Sequence, residues 1–216
     1  ALDWLVERLE AFPPREYSIA SLPKAGRMEL LVRKVVKDDG SLGLGSGWLT
    51  QTAETGGVIK LRLRPNPNFQ PPPDGPQILI GAGTGMAGLR AHLLHRQDRK
   101  LGGAWLLFGE RGATSDLYYA DDIRAWQADG TLAKTDLVFS RATTLPLGAA
   151  APKRYVQQLV TEQAGDIRAW IERGASILVC GGLQMAAGVQ EALVAIVGQE
   201  KLDQMTQDGL YRRDIY

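Results

Sequence analysis

A single cysteine, Cys180, occurs in 216 residues. One thiol closes no intramolecular disulfide, which excludes a cystine-stapled secreted scaffold and fits a reducing, cytoplasmic setting. Histidine is almost as scarce, with only His92 and His95. They lie three apart at helical spacing, but no other His or Cys stands near them in sequence. They read as ordinary surface residues, and no metal is expected. Long apolar runs are missing too: none approaches the ~20 residues that cross a bilayer. The opening Ala1-Leu2-Asp3-Trp4-Leu5-Val6-Glu7 lacks the basic and apolar regions of a secretory leader. It also lacks an initiator Met, as an excised piece would, so membrane attachment is expected only through a segment of a longer parent protein. Charge of one sign is not in excess. Lys+Arg number 25 and Asp+Glu 24, a formal net charge of +1. That balance gives no global field for nucleic acid or anionic lipid, so any anion site must be a local cluster.

What is present is an ordinary globular composition, 44% hydrophobic with 25 glycines and 11 prolines, unevenly distributed. Tyr17–Ala20, Met28–Val36 and Val58–Arg64 are β-branched and apolar stretches bounded by Gly, Asp and Ser, which predicts strands. Pro65-Asn66-Pro67-Asn68-Phe69-Gln70-Pro71-Pro72-Pro73-Asp74-Gly75-Pro76 then interrupts any regular element and reads as an extended connector. Beyond it the pattern changes. Ile78–Ile80, Ala104–Phe108, Asp136–Phe139 and Ile177–Cys180 are short apolar runs of the buried parallel-strand type. Amphipathic stretches separate them: Leu89–Gln97, Ala120–Gln127, Val156–Ala164, Ile167–Arg173 and Val189–Val197. Alternation of this kind predicts a doubly wound α/β sheet.

The stretch with the clearest chemistry is Gly81-Ala82-Gly83-Thr84-Gly85-Met86-Ala87-Gly88, between the first such strand and the first such helix. Glycines there let backbone approach a phosphate, and a helix N-terminus supplies free N–H groups and the positive end of its dipole. A dinucleotide is the natural ligand, although packing turns of this kind also occur in other α/β proteins. Which dinucleotide stays open on the residues alone. Glu110 stands where an acid would hold the ribose 2′-OH of NAD. Ser140-Arg141 and the later Lys153-Arg154-Tyr155 supply the hydroxyl and cations that a 2′-phosphate needs. Solvated surface cations would give the same spacing.

Six motifs, in order, narrow the choice: Arg15-Glu16-Tyr17-Ser18, Gly43-Leu44-Gly45-Ser46, Gly81-Ala82-Gly83-Thr84-Gly85, Ser140-Arg141, Cys180-Gly181 and Arg213-Asp214-Ile215-Tyr216. Together, from about Leu5 to Tyr216, they resemble the ferredoxin–NADP reductase superfamily, and within it the reductase halves of diflavin proteins. The resemblance implies a partial antiparallel FAD-binding β-barrel over 1–74, truncated at its N-terminus, followed by a doubly wound parallel-sheet NADP-binding domain over 75–216. It implies the cofactors FAD and NADPH, and an electron-acceptor partner such as an FMN domain. Only about a dozen residues precede Arg15 where family members carry several strands.

Residue by residue, the resemblance puts Tyr17 on the flavin ring, Arg15 at the FAD pyrophosphate and Ser18 by the flavin nitrogen that receives hydride. Gly43 and Ser46 would cradle the same pyrophosphate. Gly81, Gly83 and Gly85 would face the nicotinamide end and pyrophosphate of NADPH, with Thr84 beside the nicotinamide. Ser140, Arg141, Lys153, Tyr155 and Gln157 would bind the adenosine 2′-phosphate, although the interval containing Pro146, Gly148 and Pro152 is longer than the family's. In that setting Glu110 becomes a solvent-facing strand-end residue. Cys180 would line the nicotinamide site before Gly181-Gly182 and a helix from Met185. Gly182 replaces an acid of the family. Asp214 matches the family's C-terminal acid, and Tyr216 the aromatic that covers the flavin until nicotinamide displaces it. Two other readings remain: a regulatory NADP-binding module without flavin, and a flavin-free NAD-linked dehydrogenase.

Overall fold

In a computed structural model of the chain, the structure describes residues 14–113, 116–141 and 153–216. The interval holding Pro146, Gly148 and Pro152, like the residues before Pro14, lies outside them. The chain divides into two compact units, Ala1–Tyr17 with Val32–Val58, and Ser18–Leu31 with Ile59–Tyr216.

In the first unit the backbone turns at 37–41, where Lys37 N–H donates to Ser41 O and Gly40 N–H to Lys37 O. Gly40 has φ +79°, a left-handed conformation that glycine adopts without Cβ strain. An isolated antiparallel bridge joins Val36 and Leu42. A short helix, α1 (Leu44–Gly47), continues into a π-turn at Trp48–Thr52.

Among the described residues, the second unit is built on five strands: β1 (Gln77–Ala82), β2 (Ala104–Glu110), β3 (Leu132–Phe139), β4 (Ser176–Gly181) and β5 (Tyr211–Ile215). All pair in parallel, in the order β3-β2-β1-β4-β5. Helices α2 (Met86–Asp98), α3 (Ala120–Ala128), α4 (Val156–Glu162), α5 (Ala164–Glu172), α6 (Leu183–Val197) and α7 (Gln199–Gln207) fill the connections. The strands alternate their side chains between two cores. Ile78, Ile80, Trp105, Leu107, Ile177 and Val179 pack with α4 to α7. Leu79, Leu106, Phe108, Leu178 and Cys180 pack with Met86, Leu89 and Leu93 of α2 and with Ile123 and Trp126 of α3. Two covered faces explain why these strands read as continuous apolar runs. Among the described residues, no helix is long and apolar enough to cross a membrane.

Several expectations need correction. The strands expected at Tyr17–Ala20, Met28–Val36 and Val58–Arg64 are not ladders among the described residues. The first two supply the isolated bridges Ile19↔Leu30 and Val36↔Leu42, and the third forms no strand. β-propensity alone does not make a strand, because the ladder needs a neighbour in register. Val58, Leu61 and Leu63 are accordingly exposed. His92 is buried, not a surface residue, and its ring meets Phe69 edge-on at 4.8 Å. Glu110 is buried too, its carboxylate accepting from the Arg111 N–H at 2.9 Å, so it does not face solvent. The helix after β4 begins at Leu183, two residues before Met185. Neither α7 nor β5 was expected as an element.

Candidate active site

The strand order reverses between β1 and β4: from β1 the chain moves outward to β2 and β3 on one side, and from β4 to β5 on the other. In open α/β sheets the crevice beyond the strand C-termini at such a point receives the ligand. Here it is flanked by the glycine turn after β1, by Cys180-Gly181 of β4 and by Asp214 of β5. The glycines divide their work. A Cβ on Gly85 would stand 2.0 Å from Cys180 O, and one on Gly81 2.7 Å from the same atom. Both therefore let the turn lie directly on β4. A Cβ on Gly88 would stand 3.0 Å from Cys180 Sγ. Gly83 has φ +60° and forms the bend. Gly83 and Thr84 stay partly accessible. A 3-10 turn over Gly83–Gly85 runs into α2 with no side-chain cap, its carbonyls Gly83 O and Thr84 O accepting the Met86 N–H, so the glycine turn itself is the helix start offered to a ligand.

Beside this turn, three expected residues meet. The Ser18 hydroxyl donates to Asp214 Oδ2 at 2.6 Å, and the Cys180 thiol faces the same oxygen at 3.8 Å. Burial, and then the Asp214 carboxylate, push the Cys180 thiol well above its ordinary range. The sulfur therefore stays protonated as a weak donor and is no nucleophile. Asn66 was not foreseen. Its side-chain amide donates to Asp214 Oδ1 at 3.0 Å. It lies in the proline-dense stretch read as a connector, and its only local signal is an Asn between two prolines.

Tyr216 is held at three points. Its N–H donates to Gly181 O and its O accepts from Leu183 N–H, each at 3.2 Å. Its hydroxyl shares a 2.7 Å hydrogen bond with Thr84 Oγ1. The backbone is thus tied on both sides, and the ring, about half-exposed, is tied to Thr84.

At the far end of the sheet edge, Ser140 and Arg141 follow β3. The Arg154 N–H donates to Phe139 O at 3.1 Å, which brings Lys153-Arg154-Tyr155 alongside them. Arg141, Lys153 and Tyr155 are exposed there. The Tyr155 N–H is capped by Gln158 Oε1 at 2.8 Å as α4 begins. Gln157 lays its methylenes against Gly188, where a Cβ would come within 3.1 Å.

In the first unit, Arg15 and Tyr17 lie over α1. A Cβ on Gly45 would meet Arg15 Cγ at 2.9 Å and the Tyr17 hydroxyl at 3.0 Å. A Cβ on Gly43 would meet Ser46 Oγ at 3.0 Å. Ser46 Oγ accepts the Val35 N–H at 3.1 Å, which fixes its hydroxyl at the helix start.

The match to known proteins covers both units. The model of the oxidoreductase NAD-binding domain family matches residues 79–191, more than half of the chain. The chain is similar to the sulfite reductase [NADPH] flavoprotein alpha-component of Vibrio vulnificus, 35% identical over 98% of this chain and 36% of the relative. The Mannheimia succiniciproducens protein of the same name is 33% identical over 96% of this chain and 37% of its own length. That of Yersinia enterocolitica is 34% identical over 99% and 38%. The chain thus spans little more than a third of the curated relatives it matches. With this agreement added to the parallel sheet and its glycine turn, the chain belongs to the oxidoreductase NAD-binding domain family, in the diflavin-reductase-like branch of the ferredoxin–NADP reductase superfamily.

Proposed function

We propose that this chain is the NADPH-reading reductase portion of a flavin-dependent oxidoreductase, which takes hydride from NADPH onto FAD and passes the electrons onward. The acceptor is an FMN-containing domain or a separate electron-acceptor protein, and the setting is cytoplasmic. The observation that carries this reading is the meeting of Ser18, Cys180 and Asp214 beside the Gly83–Thr84 turn. The relatives' printed names, which carry both NADPH and flavoprotein, support it. Residues 1–74 are assigned to a partial antiparallel FAD-binding barrel, to which the described residues contribute two isolated antiparallel bridges, and 75–216 to NADP binding.

The residues present fit both groups. Bare glycine backbone, an uncapped helix start and a hydroxyl at Thr84 suit a pyrophosphate and a nicotinamide. Ser140, Arg141, Lys153, Tyr155 and Gln157 are assigned to the 2′-phosphate, for which cations and hydroxyls are the matching donors. Arg15 and Tyr17 over α1, with Gly43 and Ser46, are assigned to FAD, and Ser18 to its reactive edge. When bound, the flavin supplies the two-electron chemistry and can release the electrons singly.

The protein's own task is orientation and charge. The Asp214 carboxylate would stand as a fixed negative group to stabilise the positive charge that a nicotinamide held here would gain on giving up hydride. Ser18 holds the carboxylate by a charge-assisted hydrogen bond. Cys180 fills the floor of the crevice and stays protonated. Tyr216 covers the site until nicotinamide takes its place.

Purified protein incubated with FAD should carry a yellow chromophore that bleaches anaerobically on adding NADPH. A protein that takes up no flavin yet binds 2′,5′-ADP would instead be a regulatory NADP-binding module. Turnover of NADH without flavin would mark a dehydrogenase.

A further inference from the structure

We propose that Asn66 is a positioning residue for the Asp214 carboxylate, an inference that rests on the reductase reading above. An Asn just before a helical turn ordinarily caps that turn's own N–H groups. Asn66 precedes the turn Pro67–Phe69 and makes no such bond. Its amide reaches Asp214 Oδ1 at 3.0 Å instead, 148 residues away in sequence.

The backbone around it is built to hold that reach. Pro67 restricts the φ and ψ of Asn66. Asn66 O accepts the Phe69 N–H at 3.2 Å and the Gln70 side-chain amide at 3.0 Å. Phe69 is buried against His92. Arg212, two residues before Asp214 on the same strand, donates to Pro67 O at 3.2 Å. The turn is therefore bonded to the strand that carries the acid.

The consequence is a division of the carboxylate. The terminal torsion of an Asp is broad and roughly two-fold, so a free carboxylate rotates. With Oδ1 held by Asn66, Oδ2 is left facing Ser18 at 2.6 Å and Cys180 at 3.8 Å. Asn66 touches neither reacting atom and acts through Asp214.

Two measurements test this. The first needs no flavin. In 1H–15N spectra of the chain, the Asn66 side-chain amide is identified by its loss in Asn66→Ala. It should move to a solvent-like position in Asp214→Ala, and an unmoved resonance overturns the proposal. The second uses FAD-loaded protein and rapid mixing with NADPH. Asn66→Ala should slow flavin reduction about tenfold with the NADPH Kd within about twofold, since misaligned groups cost rate before binding. The isotope effect with 4-deuterated NADPH should rise. Asn66→Asp keeps the size and the turn preference but sets one carboxylate against another, so it should be slower still. Parental rates in both variants, or a rate loss matched by an equal loss of affinity and melting temperature, overturn the positioning role. If the loaded parent protein is not reduced by NADPH at all, the reductase reading fails, and the amide resonance alone decides whether Asn66 holds Asp214.

Discussion

The Ser18 hydroxyl and the Asp214 carboxylate, 196 residues apart in sequence, meet in a 2.6 Å hydrogen bond. A hydroxyl bound to a carboxylate at that length is charge-assisted. Ser18→Ala removes the shortest of the contacts that hold Oδ2. Flavin reduction by NADPH should slow by about ten- to a hundredfold with little change in NADPH affinity, because the bond aligns groups and does not grip the nucleotide. Rapid-mixing kinetics on FAD-loaded protein give both quantities. A loss confined to affinity would move Ser18 out of the hydride-transfer site.

The 2′-phosphate assignment turns on Arg141, which the Arg154–Phe139 backbone bond brings close to Lys153 and Tyr155. Arg141→Ala should raise the KM for NADPH about tenfold and that for NADH less than twofold, since only NADPH carries the extra phosphate. Steady-state kinetics with both nucleotides decide it. Equal effects would leave Arg141 as a surface cation.

The parallel sheet was legible because two covered faces force a strong pattern. Ile78–Ile80 and Ile177–Cys180 are apolar at every position, which few other environments require. Even there the ends moved: β3 runs back to Leu132 and α2 starts at Met86. β5 was missed because Tyr211-Arg212-Arg213-Asp214-Ile215 carries three charges. An edge strand that pairs on one side only tolerates such a sequence. The expected strands of the first third failed for the opposite reason, having the composition without a ladder. His92 misled because a helical histidine beside another carries no sign of burial, which comes from Phe69 of the distant connector. Asn66 was illegible likewise: its partner is set by the pairing of β5 with β4, and no local spacing encodes that.

Burial holds the His92 pKa down to about 4, with the Phe69 backbone carbonyl opposing and nearby His95 and Arg212 adding to the fall. The folded value thus lies below the unfolded value of about 6.5. As pH drops below 6.5 the unfolded chain takes up this proton first, so stability is full above that pH and is lost on the way down to 4. The loss should approach about 3 kcal/mol, the shift converted at ~1.4 kcal/mol per unit. Urea unfolding between pH 7 and 4.5 should show it in the parent. His92→Gln, which keeps a donor but does not titrate, should flatten that part of the profile. Identical pH profiles would assign the acid sensitivity elsewhere.

Tyr216 and Thr84 share a 2.7 Å hydroxyl bond, while the Tyr216 backbone is tied to Gly181 and Leu183. If the ring covers the flavin, nicotinamide must swing the side chain aside and break that latch, with the backbone staying in place. NADPH draws the binding energy for this from its 2′-phosphate contacts, which NADH lacks. Tyr216→Ala should therefore raise kcat/KM for NADH more than for NADPH, and the preference for NADPH should narrow. Tyr216→Phe, which keeps the ring and removes only the hydroxyl, should narrow it less. Removing the ring should also slow release of NADP, because an uncovered flavin holds nicotinamide longer, so turnover with NADPH should fall even as NADH use improves. Steady-state kinetics with both nucleotides on FAD-loaded protein measure all three effects. A ratio of kcat/KM values unchanged in Tyr216→Ala would make the ring a packing group and place the nucleotide preference wholly in the cations around Arg141.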